Sequence, residues 1–375
     1  MPELSKQHYQ PDEQAPLARE TGRRADEYER AVEIEAGIWV FSLPLPFALR
    51  QVNVYLIDDG AGHLTLIDAG LGLPRDEAVL RDGLLSLGFS PEALDAIVLT
   101  HAHPDHIGMA RALHDASGAP VYMLEREDQR MYSVWGENSG PALRAVTRSF
   151  AENGMLLEEA QSDPRVSGEA REGFGDDVSS EEARRRAIFP VPSPDSIRTL
   201  GDGDTVRLGR WSYQAIWTPG HSDYHMCLLR EDGLFIAGDH ILPSITPNIG
   251  LYPNSRPDPL LDYDASLVKV RDVSARLTLP GHRAPISDLS ARVDELRAHQ
   301  VERSDAVRAL VAREVDGAVA GDVATALFGV RLRTVDDRRF AMAETLAHLE
   351  HLRLRGALHR ERRDELFVYT LAGRR

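Results

Sequence analysis

The sequence has a single cysteine, Cys227, among 375 residues. A disulfide within the chain is therefore excluded, and so is a zinc site built from several thiolates. No apolar run approaches the roughly 18 residues that a bilayer-crossing helix needs. The polar N-terminus lacks the apolar stretch of a secretory leader. These absences predict a cytoplasmic protein with no membrane partner. Basic residues are also short, leaving a net charge of −16. The shortage is local. Residues 291–375 hold 16 arginines and 14 acidic residues, for +2, while the preceding 290 hold 27 basic and 45 acidic residues, for −18. Such an acidic body repels polyphosphate at long range, which disfavours nucleic acid as the main partner. Hydrophobic residues at 42% and charged residues at 27% are ordinary for a globular chain, and the length allows a large core and more than one domain.

Residues 1–30 are charged and nearly free of aliphatic side chains, and they read as a flexible N-terminal arm. Ordered structure is expected from about Val32. Ile34–Phe41 suggests a first strand pair. Val52–Ile57 and Leu64–Asp68 are strands joined by the turn-forming run Asp58–Gly62. Arg75–Leu87 has helical spacing, and Ile107–Ser117 predicts a second helix closed by Gly118. Ala96–Leu99 and Val121–Leu124 are apolar strands. Helix alternating with strand implies sheets with covered faces, an α/β fold.

From about residue 125 to 196 the pattern changes. Pro141–Gln161 reads as helix, 163–186 is polar and charged, and Pro190–Pro194 forces extended chain. The stretch is long for a loop and reads as an insertion forming a lid or wall beside the site. Strands return at Thr205–Leu208, Trp211–Trp217, Met226–Leu229, Leu234–Ala237 and Leu277–Leu279. Three apolar strands of this second half run into a potential metal ligand: His221, Asp239 and His282.

The densest chemistry lies at the end of the strand through Leu99. His101, His103, Asp105 and His106 fall within six residues. Two residues apart on an extended segment, His101 and His103 face the same way. Neutral imidazoles with a carboxylate suit Zn²⁺ or a similar first-row ion.

This His-x-His-x-Asp-His form resembles that of the metallo-β-lactamase-fold hydrolases, and the resemblance covers roughly Val32 to Leu289. It implies a four-layer αββα sandwich as the catalytic domain, residues 31–290. It further implies two divalent metal ions, zinc foremost, with iron or manganese accepted by the same donors. One ion would take His101, His103 and His221, the other Asp105, His106 and His282, with Asp239 bridging. In the family an aspartate at the place of Asp68 supports the metal loop without ligating. His225 reads as a similar supporting or structural residue. True β-lactamases of this fold usually lack the bridging aspartate, so Asp239 points to branches resembling glyoxalase II, lactonases and the ribonuclease members. Two cations about 3.5–4 Å apart lower the pKa of a shared water and polarise a carbonyl or phosphoryl oxygen. The expected activity is hydrolysis of a small-molecule ester, thioester or lactone, with phosphodiester cleavage as the alternative. Asp105 could carry the proton to the leaving group, and Tyr224 could donate to a substrate oxyanion. His240 directly follows Asp239 and points the other way if the segment is extended, and His63, His114, His299, His348, His351 and His359 have no ligand context.

Residues 291–375 read as a separate unit. Val293, Leu296, Val307, Leu310 and Val311 mark one helix, Asp322–Phe328 a second, and Phe340, Leu346, Leu349 and Leu352 a third. Leu358–Arg360 and Leu366–Tyr369 flank a polar turn as a hairpin. Three helices and a hairpin look like a winged helix, and a similar appendage occurs in a family branch that includes endoribonucleases and broad ester or thioester hydrolases. Such a unit could make the chain a nucleic-acid-binding regulator. Its near-neutral charge favours instead a packing role or a homodimer contact.

Overall fold

The computed structural model describes residues 31–45, 49–136, 139–155 and 191–373. Seven strands form one sheet in chain order: β1 (Val32–Glu35), β2 (Ile38–Pro44), β3 (Gln51–Asp58), β4 (Leu64–Ile67), β5 (Ala96–Val98), β6 (Val121–Leu124) and β7 (Ile197–Leu200). The first four are antiparallel, and β4 through β7 are parallel. A second sheet has the order β12-β11-β10-β9-β8, from β8 (Thr205–Leu208), β9 (Trp211–Trp217), β10 (Met226–Arg230), β11 (Leu234–Gly238) and β12 (Leu277–Pro280). Only β11 and β12 pair in parallel there.

Side chains alternate across each strand, so one strand feeds two cores. In β3, Tyr55 and Ile57 enter the core between the sheets, with Ile67, Val98, Tyr213, Leu228 and Ile236. Val52, Val54 and Leu56 face outward, under α1 (Pro74–Ser86), α2 (Pro104–Ile107) and α3 (Ala110–Ser117), which contribute Leu80, Leu84, Ile107 and Leu113. The other sheet is covered by α6 (Pro259–Arg271) and the first half of α7 (Leu289–Arg313), through Tyr263, Leu267, Val293 and Leu296. Leu260, Tyr263, Leu267 and Val270 recur at helical spacing on one face of α6, whose first turn is capped by Asp258 accepting from the Leu261 amide at 3.1 Å. Burying each such aliphatic side chain contributes roughly 1.5–3 kcal/mol. Helix, sheet, sheet and helix make four layers.

Several elements differ from the sequence expectation. The helix expected over Ile107–Ser117 starts at Pro104 and is broken after Ile107, because the Gly108 and Met109 amides donate to the carbonyls of Gly70 and Ala69. A side chain at Gly108 would strike the Leu71 carbonyl, so the close approach requires glycine there. Residues 125–196 connect the parallel strands β6 and β7, and their first part forms α4 (Glu127–Trp135), a helix not anticipated. The helix expected over Pro141–Gln161 is α5 (Gly140–Glu152); the chain turns at Gly154, and the rest of that expectation lies outside the described residues. The 1–30 arm, the polar 163–186 stretch and Pro190 also lie outside them.

After α7 come β13 (Ala318–Val319), α8 (Ala320–Phe328), α9 (Val335–Leu354), β14 (Leu358–Arg363) and β15 (Leu366–Leu371), the strands ordered β13-β15-β14. Val307, Val311, Val323, Leu346, Leu349, Leu358 and Tyr369 build their core, joined by Phe150 and Met155 from α5 and the turn after it. Phe340 is 51% exposed and adds nothing to that core, so the apolar position it marked in the sequence faces outward. α7 enters both cores, and Ala347 of α9 belongs to the same buried cluster as Val293 and Leu296. Among the described residues no helix is long and apolar enough to cross a membrane.

Candidate metal centre

The ends of β5, β9, β11 and β12 meet at one rim of the sandwich. The parallel pairing of β4 with β5 and of β11 with β12 sends successive strand ends to the same edge. The segment after β5 delivers His101, His103, Asp105 and His106, the turn after β9 delivers His221, and the ends of β11 and β12 deliver Asp239 and His282. Three overlapping groups of ligand atoms each lie within 4.8 Å: His101, His103 and His221; His101, His106 and Asp239; and Asp105, His106 and His282.

His101 Nε2 lies 2.9 Å from His103 Nδ1, and the His103 and His221 ring centres are 4.5 Å apart. On the other side Asp105 Oδ2 is 3.6 Å from His282 Nε2 and 3.8 Å from His106 Nε2. Asp239 stands between the groups. Its Oδ2 is 3.1 Å from His282 Nε2 and 3.5 Å from His221 Nε2, and its Oδ1 is 3.6 Å from His106 Nε2. A Cβ on Gly281 would fall 2.2 Å from Asp239 Oδ1, so this position must be glycine for the carboxylate to keep its place.

The outer nitrogen of most of these rings is held elsewhere, which turns the inner one to the centre. His101 Nδ1 meets Thr100 Oγ1 at 3.0 Å, His106 Nδ1 meets Asp68 Oδ2 at 2.8 Å, His221 Nδ1 meets the Asn248 carbonyl at 2.9 Å, and His282 Nδ1 meets the Gln51 carbonyl at 2.6 Å. Such partners fix ring orientation and tautomer. Asp68 Oδ1 also accepts from the Thr100 amide at 2.8 Å. It adopts a left-handed backbone, φ 60°, which aspartate tolerates better than most side chains. His225 accepts from the Asp239 amide through Nε2 at 3.2 Å, so its Nδ1–H points to Thr218 Oγ1, 2.9 Å away. It supports the backbone of Asp239 from behind.

Three buried atoms at the centre, His106 Nε2, His221 Nε2 and Asp239 Oδ1, have no hydrogen-bond partner among the described residues. Unpaired buried polar atoms are costly and rare. Five imidazoles and two carboxylates that converge and leave such atoms open fit divalent cations. The electrostatics agree. Burial and the neighbouring imidazoles hold His101 and His103 well below the ordinary imidazole value, keeping them neutral. His106 is equally buried, yet Asp239, Asp68 and Asp105 raise it well above that value. Burial opposes the charge on Asp239, but His282 and His106 prevail and hold it well below the carboxylate range.

Sequence reasoning missed other contributors. Buried Glu127, at the start of α4, accepts from the Ala102 amide at 2.8 Å and from Ser222 Oγ at 2.6 Å. One carboxylate oxygen thus joins the loop of His101 and His103 to that of His221. Trp135 Nε1 donates to the Ala102 carbonyl at 2.6 Å. Asn53 Nδ2 lies 3.1 Å from the Pro280 carbonyl and 2.7 Å from that of Arg283, fastening both flanks of His282 to β3. Tyr224 has its ring held on both faces. Its ring stacks on Trp217, 6.5 Å between centres, and Arg126 Cζ lies 4.8 Å over its face. It packs with the inter-sheet core. His240 is fully buried against Tyr263, and burial lowers its pKa to about 3.

Residues 48–282 match the family model of the Metallo-beta-lactamase superfamily, and residues 306–372 match that of the Metallo-beta-lactamase-like, C-terminal domain. A probable metallo-hydrolase of Bacillus subtilis, YqjP, is 25% identical over 84% of this chain and 92% of its own length. An atrochrysone carboxyl ACP thioesterase of Aspergillus fumigatus is 24% identical over 80% of this chain and 75% of its own. Among solved structures, the metallo-beta-lactamase family protein TTHA1429 from Thermus thermophilus superposes with a TM-score of 0.75 at 31% identity, covering 90% of this chain and all of that one.

Proposed function

Since this chain belongs to the metallo-beta-lactamase superfamily and is a metallo-hydrolase, we propose that it cleaves a small ester, thioester or lactone at a centre of two divalent ions. The observation that carries this is Asp239, whose carboxylate reaches both His221 on one side and His106 and His282 on the other. His101, His103 and His221 would hold one ion, Asp105, His106 and His282 the other, and Asp239 both. Zinc suits the three-imidazole side, and iron or manganese suits the side with carboxylate. Bound there, such ions lower the pKa of a water and polarise an acyl carbonyl. The thioester reading is supported by the Aspergillus relatives named as thioesterases.

The protein's own part is positional. The rings are pre-oriented through their outer nitrogens, so little reorganisation accompanies the reaction. Asp105 is the more open of the two carboxylates, its side chain 16% exposed against 7% for Asp239. Its carboxylate would accept the proton of the attacking water and pass it to the departing oxygen or sulfur, while the water oxygen forms the new acyl bond and the old C–O or C–S bond breaks.

Residues 291–375 we read as a winged-helix-like unit whose work is packing. It shares α7 with the catalytic unit of residues 31–290, and a cut after Leu289 would strip Val293, Leu296 and Ala347 from the cover of the second sheet. The test is elemental analysis of protein purified without chelator, beside assays on p-nitrophenyl esters, acyl thioesters and single-stranded RNA. Two metal equivalents and chelator-sensitive ester or thioester turnover are expected. One equivalent or none after zinc, manganese or iron is supplied, or cleavage of RNA alone, defeats the proposal.

A further inference from the structure

The segment between β11 and α6 has no regular secondary structure, yet the Asn248 carbonyl on it receives His221 Nδ1–H at 2.9 Å. Something must set the place of that carbonyl. The anchors come from α9. Asn248 Nδ2 donates to Glu344 Oε2 at 3.1 Å and approaches the Phe340 carbonyl at 3.3 Å, and the Leu251 amide donates to the Ala343 carbonyl at 2.9 Å. Residues 340, 343 and 344 share one helix face, so a single surface of α9 grips the segment at two points three residues apart. Both partners of Asn248 Nδ2 are acceptors, which fixes its amide orientation. Glu344 is itself held from the other side by Arg303 of α7, 3.7 Å away, and burial raises its pKa above the usual carboxylate value. A half-buried carboxylate facing a side-chain amide is costly to leave without its hydrogen bonds.

We propose that Glu344 is a positioning residue for the three-histidine side of the centre, acting through Asn248 on the orientation of His221. Residues far beyond the sandwich in sequence thereby tune one half of the site. The other half is outside their reach, because His106 and His282 are oriented by Asp68 and by the Gln51 carbonyl. The inference rests on the reading of His101, His103 and His221 as ligands of one ion.

The experiment is competition between full-length protein and a chromophoric chelator for zinc alone, resolving each equivalent. Wild type, Glu344→Ala, Glu344→Gln and Asn248→Asp are compared, with His221→Ala marking the three-histidine equivalent. Asn248→Asp leaves the backbone carbonyl in place and sets two carboxylates against each other. Glu344→Ala and Asn248→Asp are expected to weaken the equivalent that His221→Ala removes by about 10-fold, the lower end of outer-partner effects, and to leave the other unchanged. Glu344→Gln keeps an acceptor and should restore most of the loss. Should Glu344→Ala fail to fold, Asn248→Asp decides alone. Equal weakening of both equivalents, or neither, overturns the inference. If wild type binds a single equivalent, the two-ion reading fails separately, and the inference stands or falls on whether the variants weaken the one His221→Ala removes.

Discussion

The two sides of the centre are built from similar ligands but held by different parts of the chain. His106 and His282 lean on Asp68, Gln51 and Asn53, all within the first four strands of the larger sheet or directly after them. His101, His103 and His221 lean on Glu127 of α4 and on Asn248, which α9 holds, while His101 also reaches Asp68 through Thr100. The first set is locked into the sandwich, where moving a support would disturb the packed faces of β3. The second is braced mainly by segments outside it. A hydrolase arranged this way can keep one half of its centre constant while inserted and appended segments adjust the other. Asp239, touching both sides, is where the distinction should vanish.

The largest effect is therefore expected for Asp239→Asn. A neutral amide replaces the one anion that faces both sides, so both metal equivalents should weaken together. The loss should exceed the roughly 10–100-fold typical of outer partners, with turnover falling in parallel. Elemental analysis and chelator competition measure it. Loss of one equivalent alone would remove Asp239 from its shared position.

A paired comparison comes next. Asp68→Asn tolerates the left-handed backbone at that position but gives up the charge that faces His106 Nδ1, so it should weaken chiefly the side of His106 and His282, by about 10–100-fold, with a smaller loss on the other side through Thr100 and His101. Glu127→Ala removes the acceptor of the Ala102 amide and of Ser222 Oγ and should weaken only the three-histidine side, with Glu127→Gln milder because it keeps one oxygen. Titration with zinc, resolved by equivalent, distinguishes the two patterns. If each variant weakens both equivalents equally, the two sides are mechanically one.

What could be read in the sequence follows from this arrangement. His101 to His106 are visible because four ligands share one short segment, and His221, Asp239 and His282 because each closes an apolar strand. Glu127 could not be found this way, since its partner Ser222 lies 95 positions away and a lone glutamate opening a helix reads as an ordinary first-turn residue. Asn248 contributes a backbone carbonyl, which any residue carries. The break at Gly108 arises from amides diverted to a distant turn, and β13 is only two residues long, too short for a period. Tyr224 stood out by its place beside His221 and His225, whereas the Trp217 and Arg126 contacts of its ring carry no sequence signal.

The last expected effect is on the stability of the fold in acid and touches the centre only indirectly. His348 lies one turn beyond Glu344 on α9, buried, with Nδ1 2.9 Å from Ser304 Oγ of α7. Burial, then Arg303, His351 and His299, lower its pKa from 6.5 to about 3. The folded protein thus keeps this ring neutral, while the unfolded chain takes up a proton as the pH drops through 6.5. Stability from this residue is complete above that value and declines as pH falls toward 3, by roughly 2 kcal/mol at pH 5. Because α7 and α9 also hold Glu344 and Arg303, acid should loosen the three-histidine side before the sandwich-held one. Denaturant unfolding of metal-free wild type and His348→Gln from pH 7.5 to 4.5 isolates the contribution, since the titration of the ligands cancels in the difference. The variant should be less stable at neutral pH and should lose less on acidification, so that the two curves converge. Parallel curves would mean that His348 carries no such linkage and that acid sensitivity does not distinguish the two sides.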